Sequence, residues 1–192
     1  MDNVYLLTKN EGKIIAAQSV FSEYGIPLKI LEKDYPEIQA GSSTEIASQM
    51  ALQAAKETQA PVIREDHSLC LNALHGMPGP FVSWFDKNLP VKKLLSLMKS
   101  EKDRRGYFEL AAAYAKPNGE VKTYKYRVPI KISDKPKGNR GNWNKAIILI
   151  DNPKKTLAES EEGENNGLWT KNYKKIAEDI SKEKPSKKGM RI

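Results

Sequence analysis

Two short polar segments carry the chemistry that this sequence can be asked about. The first is Thr8-Lys9-Asn10-Glu11-Gly12-Lys13, which follows a short apolar run and opens an apolar pattern at helical spacing. A strand feeding a helix leaves unpaired backbone N–H groups and the positive end of the helix dipole at the turn. Lys13 adds a mobile cation, and Thr8 and Asn10 add a hydroxyl and an amide, so the corner suits a phosphate. The glycine and lysine spacing of a P-loop is absent. Most polar turns of this kind bind nothing, and this one alone would carry little weight.

The second segment is Glu65-Asp66 at the end of an apolar strand. Adjacent strand residues point to opposite faces, so one of the two carboxylates can face a cleft. There it could hold Mg²⁺ or accept a proton from water. The competing account is that Asp66 caps the next turn. Glu37 could be a second metal carboxylate or a solvated loop residue. His67, Cys70 and His75 match no common zinc spacing, and a buried thiol explains Cys70 better. The basic tail and the tryptophans could form a nucleic-acid surface, but no nucleic-acid-binding signature accompanies them.

The elements that must position these residues alternate along the chain. Residues 3–7 read as a strand, residues 14–24 as a helix stopped at Gly25-Ile26-Pro27, and residues 28–31 as a second strand. Ser42 and Glu45 form a capping box that opens a helix to about residue 58. Residues 61–64 read as a third strand and residues 69–74 as a further extended piece. Helices are expected near 81–85 and 91–99. Residues 107–115 and 120–128 flank Pro117-Asn118-Gly119, a hairpin signal. A strand at 146–150 and a helix at 168–180 close the pattern. This order predicts an α/β fold with a mixed sheet.

At 192 residues the chain is long enough for one well-filled domain, expected over residues 1–181, with a basic tail at 182–192. Net charge is +8, and the tail supplies five basic residues against Glu183. An anionic partner is suggested, but no fold. A single cysteine and no visible signal peptide point to a reducing, cytosolic setting. The longest apolar runs are far short of a membrane span.

Taken together, the segments resemble the inosine/xanthosine triphosphate pyrophosphatase family, house-cleaning enzymes for purine nucleotides outside the standard set. The resemblance rests on the T-x-N-x-x-K of the 8–13 turn, on Pro36-Glu37-Ile38-Gln39 and on Glu45-Ile46-Ala47. It continues through residues 65–74, Gly76-Met77-Pro78-Gly79-Pro80 and Thr156-Leu157-Ala158-Glu159. It implies an elongated mixed sheet flanked by helices, two lobes with a central nucleotide cleft, a homodimer, Mg²⁺ and hydrolysis of the α–β phosphate bond. Carried over by position, Asp66 would activate water or bind metal, and Glu37 would be a Mg²⁺ carboxylate. Thr8, Asn10 and Lys13 would cradle phosphates, with Lys13 also catalytic, and His67 and Ser68 would follow at the site.

The departures are concentrated in base recognition. Met50 and Ser83 fall where the family carries phosphate lysines, with Lys56 nearby as a candidate substitute. Gly141 replaces the family's stacking Phe, and Asn144 its base-reading Asp, around Trp143. Asn165 takes the place of a Lys, and Trp169-Thr170-Lys171 that of Ser-His-Arg. Two strand glycines become Tyr126 and Ile130. Trp143, Asn144, Asn165, Thr170 and Lys171 are therefore the expected base-side contacts. Trp143 or Trp169 could offer a stacking face, or either could be core. The metal and water half is retained, and the base half is rewritten. Catalysis with altered base preference is the leading expectation. A nucleotide-binding protein that has lost catalysis is the alternative.

Overall fold

The computed structural model describes residues 3–36, 38–161 and 163–183. Val4–Leu7 (β1) is the buried strand that the apolar run predicts. Asn10 then stops the strand and starts α1 (Glu11–Glu23), its Oδ1 accepting from the Lys13 N–H at 3.1 Å. The helix buries Ala16, Ala17, Val20 and Phe21. β2 (Leu28–Leu31) returns parallel to β1. Ser42 caps α2 (Ser43–Thr58), accepting from the Glu45 N–H at 3.2 Å, as the capping box requires.

β3 spans Val62–Leu71 without a break. Two separate extended pieces were expected, because Glu65, Asp66, His67 and Ser68 look like a polar interruption. They are strand residues, each paired across to β5 (Arg105–Ala115), and only Asn72–Leu74 leaves the strand, as one 3₁₀ turn. Pairing supplies backbone partners that the local sequence does not advertise. β4 is the short Pro78–Gly79, followed by α3 (Val82–Asn88) and α4 (Val91–Leu97). The hairpin signal is met by β5 and β6 (Val121–Ile132). β7 (Ile147–Leu149) pairs on β6. The expected last helix divides at Thr170 into α5 (Asn166–Trp169) and α6 (Lys171–Lys182), so the helix takes in Lys182. Residues 184–192 of the expected tail lie outside the described residues.

The sheet is mixed, in the order β2-β1-β3-β5-β6-β7, with β4 on the far end of β3. β1, β2 and β3 run parallel, and β3, β5, β6 and β7 are antiparallel. Three apolar clusters cover it. One packs α1 and α6 against one face, with Phe21, Tyr173 and Ile176 fully buried. A second packs α2 on the other face, where Ala47, Ala51, Ala54 and Ala55 meet Ala113 and Ala115. Small residues on both sides let helix and sheet approach closely. The third gathers Leu69, Leu71, Leu110, Ile130 and Ile132 from the far ends of the long strands with α4, β7 and Trp143. No helix among the described residues is long and apolar enough to cross a membrane.

Candidate active site

The site begins at a gap in strand pairing. β1 pairs with β3 only at Val62 and Ile63, and β4 pairs with the same edge only at Leu69 and Cys70. Residues 64–68 lie between them, so their outward backbone groups face the 8–13 turn instead of a strand. Lys13 reaches across, and its Nζ donates to the Glu65 carbonyl at 2.8 Å. Arg64 donates to the Leu7 carbonyl at 3.2 Å. Thr8 is buried and its Oγ1 accepts from the Asn10 N–H at 3.1 Å. The turn is thus built by its own side chains and seated on a bare strand edge, with a cation and helix N–H groups at its mouth.

Strand alternation separates the two carboxylates. Glu65 and His67 face α1 and α6 and line a cleft of about 620 Å³, within the range of a small-ligand site. Asn10, Lys13, Phe108, Asn144, Asn165 and Trp169 are among its other walls. Glu65 is 2% exposed, yet its oxygens are well served. Tyr173 Oη donates to Oε2 at 3.0 Å, Asn172 Nδ2 donates to Oε1 at 3.3 Å, and His67 Nε2 lies 3.0 Å from Oε2. Burial pushes the Glu65 pKa up, but His67, Lys13 and the Tyr173 hydroxyl outweigh it and hold it below the usual range. Burial, with Lys13 adding to it, lowers the His67 pKa despite Glu65 and Asp66. The pair is therefore a carboxylate beside a neutral imidazole. His67 stacks on Trp169 with centroids 5.9 Å apart, and Phe108 meets Trp169 edge-on at 5.8 Å.

Asp66 points to the α2 face. It caps no turn, since it sits inside β3 opposite Ala111. Its Oδ2 is sealed from solvent and has no hydrogen-bond partner among the described residues. A buried carboxylate oxygen without a donor is costly, and a divalent cation removes that cost. Asp66 therefore fits a metal. No group of three His, Cys, Asp or Glu converges among the described residues. Glu37 lies outside the described residues.

The structure brings Asn10, Lys13, His67, Asn144 and Asn165 together at the cleft, with Thr8 one step behind in the turn. It does not bring the remaining expected contacts there. Ser68 lies on the α2 face, where its hydroxyl and that of Ser43 are 2.6 Å apart in the core. Trp143 is 2% exposed, with its indole N–H donating to the Leu89 carbonyl at 2.8 Å, so it is core. Thr170 is buried at the break between α5 and α6, and its hydroxyl donates to the Gly167 carbonyl at 3.3 Å. Lys171 is exposed, with Nζ 4.6 Å from the Tyr126 ring centroid. Met50 is buried under α2, Ser83 is exposed, and Lys56 is exposed in the last turn of α2, three helical turns from its start. Lys56 does not line the cleft.

Sequence reasoning passed over Glu65 as a cleft residue, and also Phe108, Arg140 and Asn166. The alternation of β3 held the first, because Glu65 shares its face with His67. Arg140 sits in a loop and Asn166 opens the four-residue α5, too short for periodicity to report orientation.

The fold is that of a HAM1 protein from Coxiella burnetii, with a TM-score of 0.78 at 22% identity, covering 95% of this chain and 98% of that one. The chain belongs to the Ham1 family, whose model matches residues 4–172. It is 31% identical over 156 residues to a dITP/XTP pyrophosphatase of Methanopyrus kandleri, covering 81% of this chain and 83% of that protein. An inosine triphosphate pyrophosphatase 1 of Trypanosoma cruzi is 31% identical over 166 residues, covering 86% and 84%.

Proposed function

We propose that this protein is a divalent-metal-dependent nucleoside triphosphate pyrophosphohydrolase, converting a purine NTP and water to the NMP and pyrophosphate. The observation that carries it is Asp66, a sealed carboxylate oxygen without a donor among the described residues, on the bare strand segment that Lys13 reaches. The relatives named as dITP/XTP and inosine triphosphate pyrophosphatases support the substrate class. Lys13 and the N–H groups opening α1 receive phosphate oxygens, offsetting the charge that grows on the leaving pyrophosphate. Asp66 accepts the proton of the attacking water, which adds to the α-phosphorus as the α–β bridge breaks. Asp66 with Glu37 would hold Mg²⁺, which supplies charge neutralisation and a more acidic water when bound. Asn10 and His67 bound the nucleotide, and Asn144 and Asn165 face its base. The family resemblance and the single cysteine support action as a homodimer in the cytosol.

Pyrophosphate release from ITP, XTP, dITP, GTP and ATP is the test. Turnover should require Mg²⁺ and fall at least about a hundredfold in Asp66→Asn. No Mg²⁺-dependent turnover of any nucleotide rejects the reading. A second reading, nucleotide binding without hydrolysis, draws on Met50, buried where the resemblance places a phosphate lysine. Tight binding with no release of pyrophosphate would favour it.

A further inference from the structure

Glu65 offers two different groups to its surroundings. Its main-chain carbonyl lies on the bare edge of β3 and accepts from Lys13 Nζ at 2.8 Å. Its carboxylate meets the first turn of α6 instead. Tyr173 Oη donates to Oε2 at 3.0 Å, and Asn172 Nδ2 donates to Oε1 at 3.3 Å. Both donors are themselves fixed. Tyr173 is fully buried in the cluster of Phe21 and Ile176. Asn172 is 3% exposed and also donates to the Leu110 carbonyl at 3.0 Å. Lys13 is close enough that its charge helps to keep the same carboxylate ionised. The reaction proposed above uses neither α6 side chain.

We propose that Tyr173 and Asn172 are positioning residues: they hold the Glu65 carboxylate on the α6 side, so that Lys13 stays on the Glu65 carbonyl and meets phosphate there. The inference rests on the pyrophosphohydrolase reading above for what Lys13 receives. A buried carboxylate must find donors. Tyr173 and Asn172 supply two neutral ones, and the cation is not drawn into that task. Without them, rotation of the Glu65 side chain brings its carboxylate to an ammonium already bonded to the same residue. An ion pair formed there opposes a polyphosphate in two ways. It ties the cation to the protein, and it sets an anion where the phosphates must come.

This role is separable from that of tying α6 to the sheet. Tyr124 Oη donates to Asp179 Oδ2 at 3.0 Å, a second hydroxyl–carboxylate bond between sheet and helix. Asp179 lies about two turns beyond Tyr173 along α6, and neither Tyr124 nor Asp179 lines the cleft. Loss of the Tyr124 bond loosens the helix without releasing Glu65. Loss of the Tyr173 bond does both.

The test is binding of inorganic tripolyphosphate to the full chain in EDTA, measured by titration calorimetry at a temperature where every variant is folded. It reads the placement of Lys13 without turnover. Tyr173→Phe should weaken binding about fivefold or more, and Asn172→Ala should act in the same direction. Adding Glu65→Gln to Tyr173→Phe should bring the affinity back to within about twofold of the wild type or tighter, because the released group no longer carries charge. Tyr124→Phe should lower the melting temperature and leave the affinity unchanged. Unchanged affinity in Tyr173→Phe overturns the proposal. So does a loss that Glu65→Gln does not relieve, or one that Tyr124→Phe reproduces, since a merely structural contact gives those results. Absence of tripolyphosphate binding by the wild type overturns it as well. With Mg²⁺, kcat/KM for ITP should fall in the same single variants and recover in the same double variant. If no nucleotide is hydrolysed but the binding order is found, the hydrolase reading fails and the positioning role stands. Turnover of ITP without that binding order leaves the hydrolase reading and removes the positioning role.

Discussion

Glu65 and Asp66 are chain neighbours of identical charge in opposite surroundings. The Glu65 carboxylate has two hydrogen-bond donors and an imidazole beside it, whereas Asp66 keeps an oxygen with no partner among the described residues. One is a fixed anion of the framework, and the other holds a buried oxygen that no described residue satisfies. The sequence marks the pair and states that the two face apart, but alternation does not say which faces which wall. That depends on the packing of α1 and α6 on one face and α2 on the other. The buried pair also has a pH consequence. His67 resists protonation in the fold, so the unfolded chain takes up its proton first as pH falls below about 6.5. Stability from this source is full above that pH and declines below it. The Glu65 contribution, from a pKa lowered in the fold, is lost only below the ordinary carboxylate value near 4.5. The urea midpoint of the wild type should therefore drop between pH 7.5 and 5.5, and His67→Gln should flatten that drop.

At the scale of elements, most of the fold was legible because period and punctuation agree. β1, α1, β2, α2 and the β5–β6 hairpin all follow from apolar spacing closed by caps and turns. The failures have a common cause. β3 was divided because four polar residues interrupt it, and only the long-range pairing to β5 explains why they stay extended. Trp143 was expected near the base because its turn matches a base-binding segment. The backbone of that turn is instead pegged down by Asn142, which leaves the indole in the core and the next residue, Asn144, at the cleft. Asn142→Ala removes three hydrogen bonds at once and leaves part-buried backbone groups without partners. Denaturant unfolding should show a loss of about 2–4 kcal/mol. KM for the nucleotide should rise with it, because the turn presents Asn144.

On the scale of the molecule, the net charge of +8 suggested an anionic partner without saying where. The structure gives much of the described charge a local account: Lys116 and Lys122 meet Glu183, and Lys125 and Arg127 meet Glu109. The same contacts explain why α6 belongs to the domain. It buries Tyr173 and Ile176, carries Asn172 and Tyr173 to Glu65, and ties Asp179 to Tyr124 Oη at 3.0 Å. Deleting residues 171–192 should abolish the cooperative thermal transition. Deleting only residues 184–192, a Lys/Ser/Pro/Gly stretch with little apolar content, should leave both melting temperature and turnover unchanged.

The unpaired stretch of β3 bears on how such a chain can drift. Its outward surface is main chain, and Lys13 grips a carbonyl there. A substitution that keeps the strand extended keeps that carbonyl in place, so the reaction centre is insured against much of the variation a lineage accumulates. The opposite wall has no such insurance, since it is made of side chains. Descendants of one ancestor can therefore share a way of cutting phosphate chains while disagreeing about which bases they admit.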